Sequence, residues 1–338
     1  MAPRKPASRS LATSRSSSTG SISGQTFKKN FDKIVENIET VLKGKTDVVR
    51  LALVAILCEG HILFEDVPGT GKTVLARAIS QSMDATTQRV QCTPDMLPGD
   101  ITGSSILDQK TGKFEFHPGP VFANVLLADE INRATPKTQS SLLEAMAERR
   151  VSADGVTYDL PRPFLVLATQ NPIEQAGTFP LPEAQLDRFL FKMSLGYMDR
   201  GAEFDVMFAN SKQLSIEDLG AVTDTREIQR MMAYAQDIEV SDEVAYYIVD
   251  LVQASRTDNN IAMGGSPRAT INLLKASRAL AASDGRTHVY PDDVRTVLPH
   301  IMAHRIVLNP DAILRGEDVS NVLDRVTNQV KPPVSAKR

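Results

Sequence analysis

What this chain of 338 residues lacks sets the first limits on it. No apolar run is long enough to cross a bilayer. The longest, LALVAILC at 51–58, falls far short of the roughly 20 residues a span needs and reads as a buried helix, so no membrane insertion is expected. No sign of charge dominates. Lys and Arg number 38 against 41 Asp and Glu, for a net charge of -3 and a pI of about 6.0. The chain as a whole therefore lacks the basic surface that marks a nucleic-acid binder. Cysteine is nearly absent. Cys58, in the apolar helix, and Cys92, near a strand end, make no disulfide framework and read as two reduced thiols in a cytoplasmic protein.

What is present is ordinary for a soluble protein large enough for two compact domains: 42% hydrophobic and 23% charged residues. The first 26 residues differ in kind. They are rich in Ser, Thr, Arg and Pro, and no acidic residue occurs before Asp32. Such a segment buries too little apolar surface to offset its ordering entropy, and a flexible basic tail over 1–26 is expected. It lacks the apolar core of a secretory signal, though it shares the Arg- and Ser-rich, acid-poor composition of a transit peptide.

Beyond the tail, Phe31, Ile34, Val35, Ile38, Val41 and Leu42 fall at helical spacing with Gly44 as a stop, and a second helix is predicted from Thr46 to Glu59. HILFE at 61–65 then reads as a short buried strand running into EDVPGTGKT, residues 65–73. The phosphate-loop pattern asks for Gly, four residues, then Gly-Lys-Ser/Thr, and Gly71, Lys72 and Thr73 satisfy its second half. Asp66 stands where the first Gly belongs. A bare Gly-Lys-Ser/Thr arises by chance in roughly one chain in six of this length, so the motif needs its context. The context is strand, Gly-rich turn, then helix from Lys72. That order points backbone N–H groups and a positive helix end at a phosphate, and Gly69 and Gly71 let the backbone approach closely. Asp66 is expected to be a tolerated turn residue, with Pro68 stiffening the loop.

Two further strand tips carry polar groups. The apolar run through Val125, Leu126 and Leu127 ends abruptly in Asp129 and Glu130, two acids that are costly there without a task. One could hold the magnesium ion that bridges nucleotide phosphates while the next orients and deprotonates water. FLVLATQNP at 164–172 ends in Gln170 and Asn171, and an Asn at this tip could hold the attacking water or sense the terminal phosphate. Two hairpins, 104–120 and 149–161 with Asp154-Gly155 at its tip, are expected to project from the sheet. After about residue 199 the pattern turns helical, near 201–211, 225–236, 241–257, 267–283 and 291–304. Ser266-Pro267-Arg268 reads as a helix start with Ser as cap, and Arg268, a cation in the first turn, is expected to serve an anion. His300 and His304 have zinc-helix spacing, but Ile301 replaces the Glu of that motif and no third ligand is evident; both read as surface histidines.

Together these segments resemble the MoxR family of AAA+ ATPases over roughly 27–310. The most specific stretches are CTPDMLPGDITGS, FHPGPVFANVLLADEINRATPKTQSSLLEAMAERRVSADG, FLVLATQNPIEQAGTFPLPEAQLDRF and GGSPRA. The resemblance implies an α/β P-loop NTPase fold: an αβα core with a parallel sheet and hairpin insertions over 27–198, an all-α lid over 199–310, and a C-terminal helical segment and tail over 311–338. It implies ATP and Mg2+ as cofactors. Gly69, Thr70, Gly71, Lys72, Thr73 and Val74 would bind the nucleotide, with Thr73 and Asp129 holding the metal. Glu130 would activate water, Asn171 would be sensor 1, Arg188 the arginine finger and Arg268 sensor 2. The adenine-side segment reads LKGK where relatives commonly have Gly-Gln. The resemblance further implies a homo-oligomeric ring, hexameric in the family, that remodels or matures client proteins, often ones with von Willebrand A-type domains. The competing reading is a DNA-acting AAA+ motor or transcriptional regulator, which the acidic pI and the lack of a helix-turn-helix module after the lid disfavour.

Overall fold

The computed structural model describes residues 22–333, apart from 68, 111, 172–176, 198–199, 202 and 205–215. Pro68, most of the expected tail and most of the helix expected near 201–211 lie outside the described residues. Helix α1 (Gly24–Glu39) starts inside the segment read as tail. Ser23 caps it, its Oγ accepting from the Thr26 N–H at 3.2 Å. The boundary at 26 was hidden because the first turn, Gly-Gln-Thr, carries no apolar residue, and the capping serine is one of many. From Phe27 onward the helical spacing holds, with Phe27, Phe31, Ile34, Val35 and Ile38 buried.

Helix α2 (Thr46–Leu57) is apolar nearly all round and correspondingly buried. The chain reverses through Glu59, at φ +52°, into β1 (Ile62–Glu65). After the glycine-rich turn come α3 (Lys72–Ser82), β2 (Thr87–Gln91), α4 (Pro98–Thr102), and the hairpin of β3 (Gly103–Asp108) and β4 (Lys113–Pro118). Then follow β5 (Val125–Asp129), α5 (Pro136–Glu148), the second hairpin of β6 (Arg150–Ala153) and β7 (Val156–Asp159), β8 (Leu165–Gln170), α6 (Glu183–Leu186) and β9 (Phe191–Met193). The sheet has the order β2-β5-β8-β1-β9, and every neighbouring pair is parallel.

A parallel sheet must be covered on both faces, and strand alternation divides the residues between two cores. Val125 and Leu127 pack with α1, α2 and α3, while Leu126 and Ala128 pack with Leu142, Leu143 and Met146 of α5. Each such Val, Leu or Met side chain, fully buried, contributes about 1.5–3 kcal/mol. The two hairpins do not stand apart: Phe116 of β4 stacks on Tyr158 of β7 with centroids 4.2 Å apart.

The lid follows as α7 (Thr225–Gln236), α8 (Asp242–Thr257), β10 (Ile261–Met263), α9 (Pro267–Ser283) and α10 (Pro291–Met302). After these come β11 (Val307–Leu308), α11 (Pro310–Leu314) and α12 (Val319–Gln329). Buried side chains of α7, α8, α9 and α10 join the core formed by α1, α2 and α3, so lid and sheet share one apolar cluster. Among the described residues no helix is long and apolar enough to cross a membrane.

Three local expectations are corrected. Ser266 occupies the N-cap position of α9, but its hydroxyl caps nothing; it donates to Asp187 Oδ2 at 3.4 Å. His304 is buried, with Nε2 3.1 Å from the Phe189 carbonyl, and His300 is half-buried against the Phe191 ring. Neither is a surface histidine, because α10 and the turn after it pack onto β9 and the residues before it, a contact the local pattern does not show.

Candidate nucleotide site

The C-terminal ends of β1, β5 and β8 open into one cavity of about 350 Å³. Gly69, Thr70, Gly71, Lys72, Thr73 and Val74 line it from the turn and the start of α3; Asp129, Glu130 and Asn171 line it from the strand tips. Gly71 sits at φ +99°, and a Cβ there would meet Leu42 Cδ1 at 3.3 Å, so the turn accepts only glycine without strain. Lys72 Nζ donates to the Asp66 and Val67 carbonyls at 3.3 and 3.1 Å, which arches it over the loop. Thr70 is 5% exposed, and its Oγ1 has no hydrogen-bond partner among the described residues. An orphaned buried hydroxyl costs free energy unless a ligand meets it, and beside a glycine turn and a lysine that ligand fits a phosphate.

Asp66 is more than a tolerated substitute for glycine. It is buried, and its carboxylate accepts from Ser194 Oγ at 2.6 Å and from the N–H groups of Leu195 and Gly196 at 2.6 and 3.1 Å. The start of the loop is thereby tied to the chain leaving β9. Only the mismatch to the motif signalled this role, since its partners lie far along the chain.

Around the two acids the structure adds residues that the sequence did not single out. Asp129 Oδ1 accepts from Thr169 Oγ1 at 3.3 Å and Oδ2 from Arg89 Nε at 2.7 Å. Glu130 takes the left-handed conformation at φ +55°, a strained one for a non-glycine residue. Its N–H donates to Thr169 Oγ1 at 2.9 Å, and its Oε2 accepts from Gln91 Nε2 at 2.9 Å and Arg133 Nη1 at 3.0 Å. Arg89 and Gln91 also line the cavity. Their two-residue spacing on one strand face was the available signal, but nothing local pairs β2 with β5. Burial, and then the charges of Asp129 and Glu130, push the Cys92 thiol up to about 12; burial does the same to Cys58, so both stay protonated. Both thiols are free. Among the described residues no three His, Cys, Asp or Glu side chains cluster as a metal site. A metal here would draw ligands from Thr73, Asp129 and the phosphates themselves, a donor set that suits magnesium.

Arg188 and Arg268 do not join the cavity. Arg188 precedes β9, which runs parallel to β1 with Phe191 level with Ile62, so it lies toward the N-terminal ends of the strands, whereas the glycine turn follows the C-terminal end of β1. The Arg188 backbone N–H donates to the Gln185 carbonyl at 3.1 Å, and its side chain makes no hydrogen bond or ion pair with the described residues. Beside it, Asp187 gathers the lid: Arg268 Nη1 lies 3.6 Å from its Oδ2, and Arg305 Nε lies 2.5 Å from its Oδ1.

A parallel sheet of this order, a phosphate-type turn, acids at the next strand tip and a helical lid define a P-loop AAA+ ATPase core. The family model for the ATPase family associated with various cellular activities (AAA) matches residues 61–191, and the AAA lid domain model matches 253–326. YeaC of Bacillus subtilis, named as an uncharacterized protein, is 46% identical over 302 residues, covering 89% of this chain and 94% of its own. Chaperone MoxR1 of Mycobacterium tuberculosis is 39% identical over 311 residues, covering 89% and 82%. Protein MoxR of Paracoccus denitrificans is 35% identical, covering 80% and 86%. A crystal structure of a candidate ATPase from Cytophaga hutchinsonii superposes with a TM-score of 0.86 at 35% identity, covering 91% of this chain and 96% of that one. The chain belongs to the MoxR family of AAA+ ATPases.

Proposed function

We propose that this protein hydrolyses ATP at sites completed between subunits of a ring, hexameric as the resemblance implies, and uses the cycle to remodel client proteins in the cytoplasm. The observation that carries this reading is the division of the site. Lys72, Asp129, Glu130 and Asn171 share one cavity that neither Arg188 nor Arg268 lines; Arg188 precedes β9 at the opposite end of the strands, and Arg268 pairs with the adjacent Asp187. Cations held there serve phosphates on another copy, not on their own.

ATP would supply the phosphoanhydride bond, and a magnesium ion bound with it would supply positive charge at its phosphates. The amides from Gly69 to Val74 would cradle the phosphates, Lys72 would neutralise the β- and γ-groups, and Thr73 and Asp129 would hold the metal. Glu130 takes the proton of the attacking water, which Asn171 orients. Arg188 and Arg268 of a neighbouring copy offset the charge that develops on the transferred group. Hinging of the lid on the apolar cluster it shares with α1, α2 and α3 passes nucleotide state to the client.

A protein client is favoured over DNA by the first hairpin, where Ile106, Leu107 and Phe114 are exposed and Lys110 and Lys113 are balanced by Asp108 and Glu115. The chaperone name of the Mycobacterium relative agrees, and the family resemblance points to clients with von Willebrand A-type domains. One paired experiment tests the site. Lys72→Ala should abolish binding of a fluorescent ATP analogue, while Glu130→Gln should bind it yet turn over poorly. Binding of normal affinity in Lys72→Ala would sink the assignment.

A further inference from the structure

The carboxylate read above as a metal ligand already has a cationic partner within its own chain. Asp129 has an 11% exposed side chain and is fixed on both sides, Oδ1 by Thr169 and Oδ2 by Arg89. Arg89 stands on β2, the edge strand, two residues before Gln91, which is in register with Asp129; both side chains therefore reach along the same face of the sheet into the cavity. The arginine is 56% exposed on a long flexible stem, so the acid is immobile and the cation can leave it at little cost in packing. Its Nη2 also reaches Gln91 Oε1 at 3.2 Å, and Gln91 in turn holds Glu130.

Asp129 and Glu130 are adjacent acids at a strand tip, and without a neighbouring cation their charges would repel each other in a partly desolvated site. A guanidinium and a divalent ion on one carboxylate would repel in the same way. We propose that Arg89 is the resident counter-ion of Asp129 and competes with the divalent cation for that carboxylate, so that metal binding and the Arg89–Asp129 ion pair exclude one another. This rests on the reading of Asp129 as the metal ligand. Its consequence is an order of events. The ion binds weakly alone and enters with the nucleotide, whose phosphates supply the ligands that displace Arg89.

Binding of Mn2+ to the full chain without nucleotide, followed by the loss of its free-ion paramagnetic resonance signal, tests the competition. Arg89→Gln should bind Mn2+ about two- to fivefold more tightly than the wild type, the factor expected when a half-exposed ion pair no longer competes. Arg89→Lys, whose ammonium reaches as far as Nε, should keep wild-type affinity. Unchanged or weaker Mn2+ binding in Arg89→Gln, or a Lys variant indistinguishable from it, would overturn the proposal. Asp129→Asn separates the two readings. If it binds Mn2+ as well as the wild type, with or without ADP, the metal site itself is misassigned; if it loses Mn2+ while Arg89→Gln shows no gain, only the competition fails.

Discussion

Arg305 of the lid, its side chain 2% exposed, pairs with the half-buried Asp187 of the core, Nε to Oδ1 at 2.5 Å. The remaining N–H groups of Arg305 donate to the carbonyls of Asp187, Phe189, Leu190 and Ile301. One guanidinium thus fastens α10 to the segment that carries Arg188. Burial draws its pKa down, and the adjacent Asp187 opposes that shift. Removing one partner strands the other charge, so Asp187→Ala should lower stability by about 3–5 kcal/mol in urea unfolding. A loss below about 1 kcal/mol would mean that the backbone carbonyls alone satisfy Arg305.

Asp66→Gly would complete the phosphate-loop pattern and should nevertheless damage the protein. It removes three hydrogen bonds to a carboxylate and leaves the buried Leu195 N–H without an acceptor. A loss of about 2–4 kcal/mol is expected, together with weaker ADP binding as the loop loses its anchor. A thermal or urea titration with parallel nucleotide binding checks both, and unchanged ADP affinity would show that the anchor is structural only.

Arg188→Ala should bind nucleotide normally but hydrolyse it about a thousandfold more slowly, because an arginine supplied by a neighbour is worth about that much. Mixed with Lys72→Ala subunits it should recover part of the rate, since each variant then contributes the part the other lacks. A mixture no more active than its components would argue that Arg188 does not act across an interface.

His61 ties three elements while neutral: Nδ1 accepts from the Val166 N–H at 3.0 Å, and Nε2 donates to the Met146 carbonyl at 3.1 Å. Burial, only partly opposed by the Met146 carbonyl, lowers its pKa from 6.5 to about 4. Between those values the unfolded chain binds a proton that the folded one refuses. The stabilisation is therefore complete above pH 6.5 and is lost as pH falls through 4, amounting to about 3 kcal/mol. His304, also held well below its ordinary value by burial, acts in the same direction. Unfolding free energies measured from pH 4 to 6.5 should rise with pH, and His61→Gln should reduce the slope by about one proton. An unchanged slope would show that folded His61 titrates normally.

Much of this molecule follows from short-range pattern. The apolar spacing of α1, the starts of α7 and α8 at Asp224 and Ser241, the tips of β5 and β8, and the glycine turn before Lys72 are all local, because helix and strand periods and caps involve residues a few positions apart. The start of α1 was missed for the same reason, as its first turn is polar and its burial is set by the lid. The family motifs carried the reading further, to Arg188 and Arg268 as candidate residues, though not to where they stand.

Only the tertiary structure decided the partners of the polar groups. Asp66 meets residues 128 to 130 positions away, Arg305 meets Asp187 across 118, and Arg89 meets Asp129 across 40. Such pairs depend on which strands adjoin and where the lid docks. A charged side chain with no apolar period around it leaves no trace of its partner in the sequence. The sequence by itself determined that a glycine turn and two acids lie at strand tips; the order of the sheet, with β2 beside β5, decided that Arg89 meets those acids, and the docking of the lid decided that Arg268 pairs with Asp187 outside the cavity.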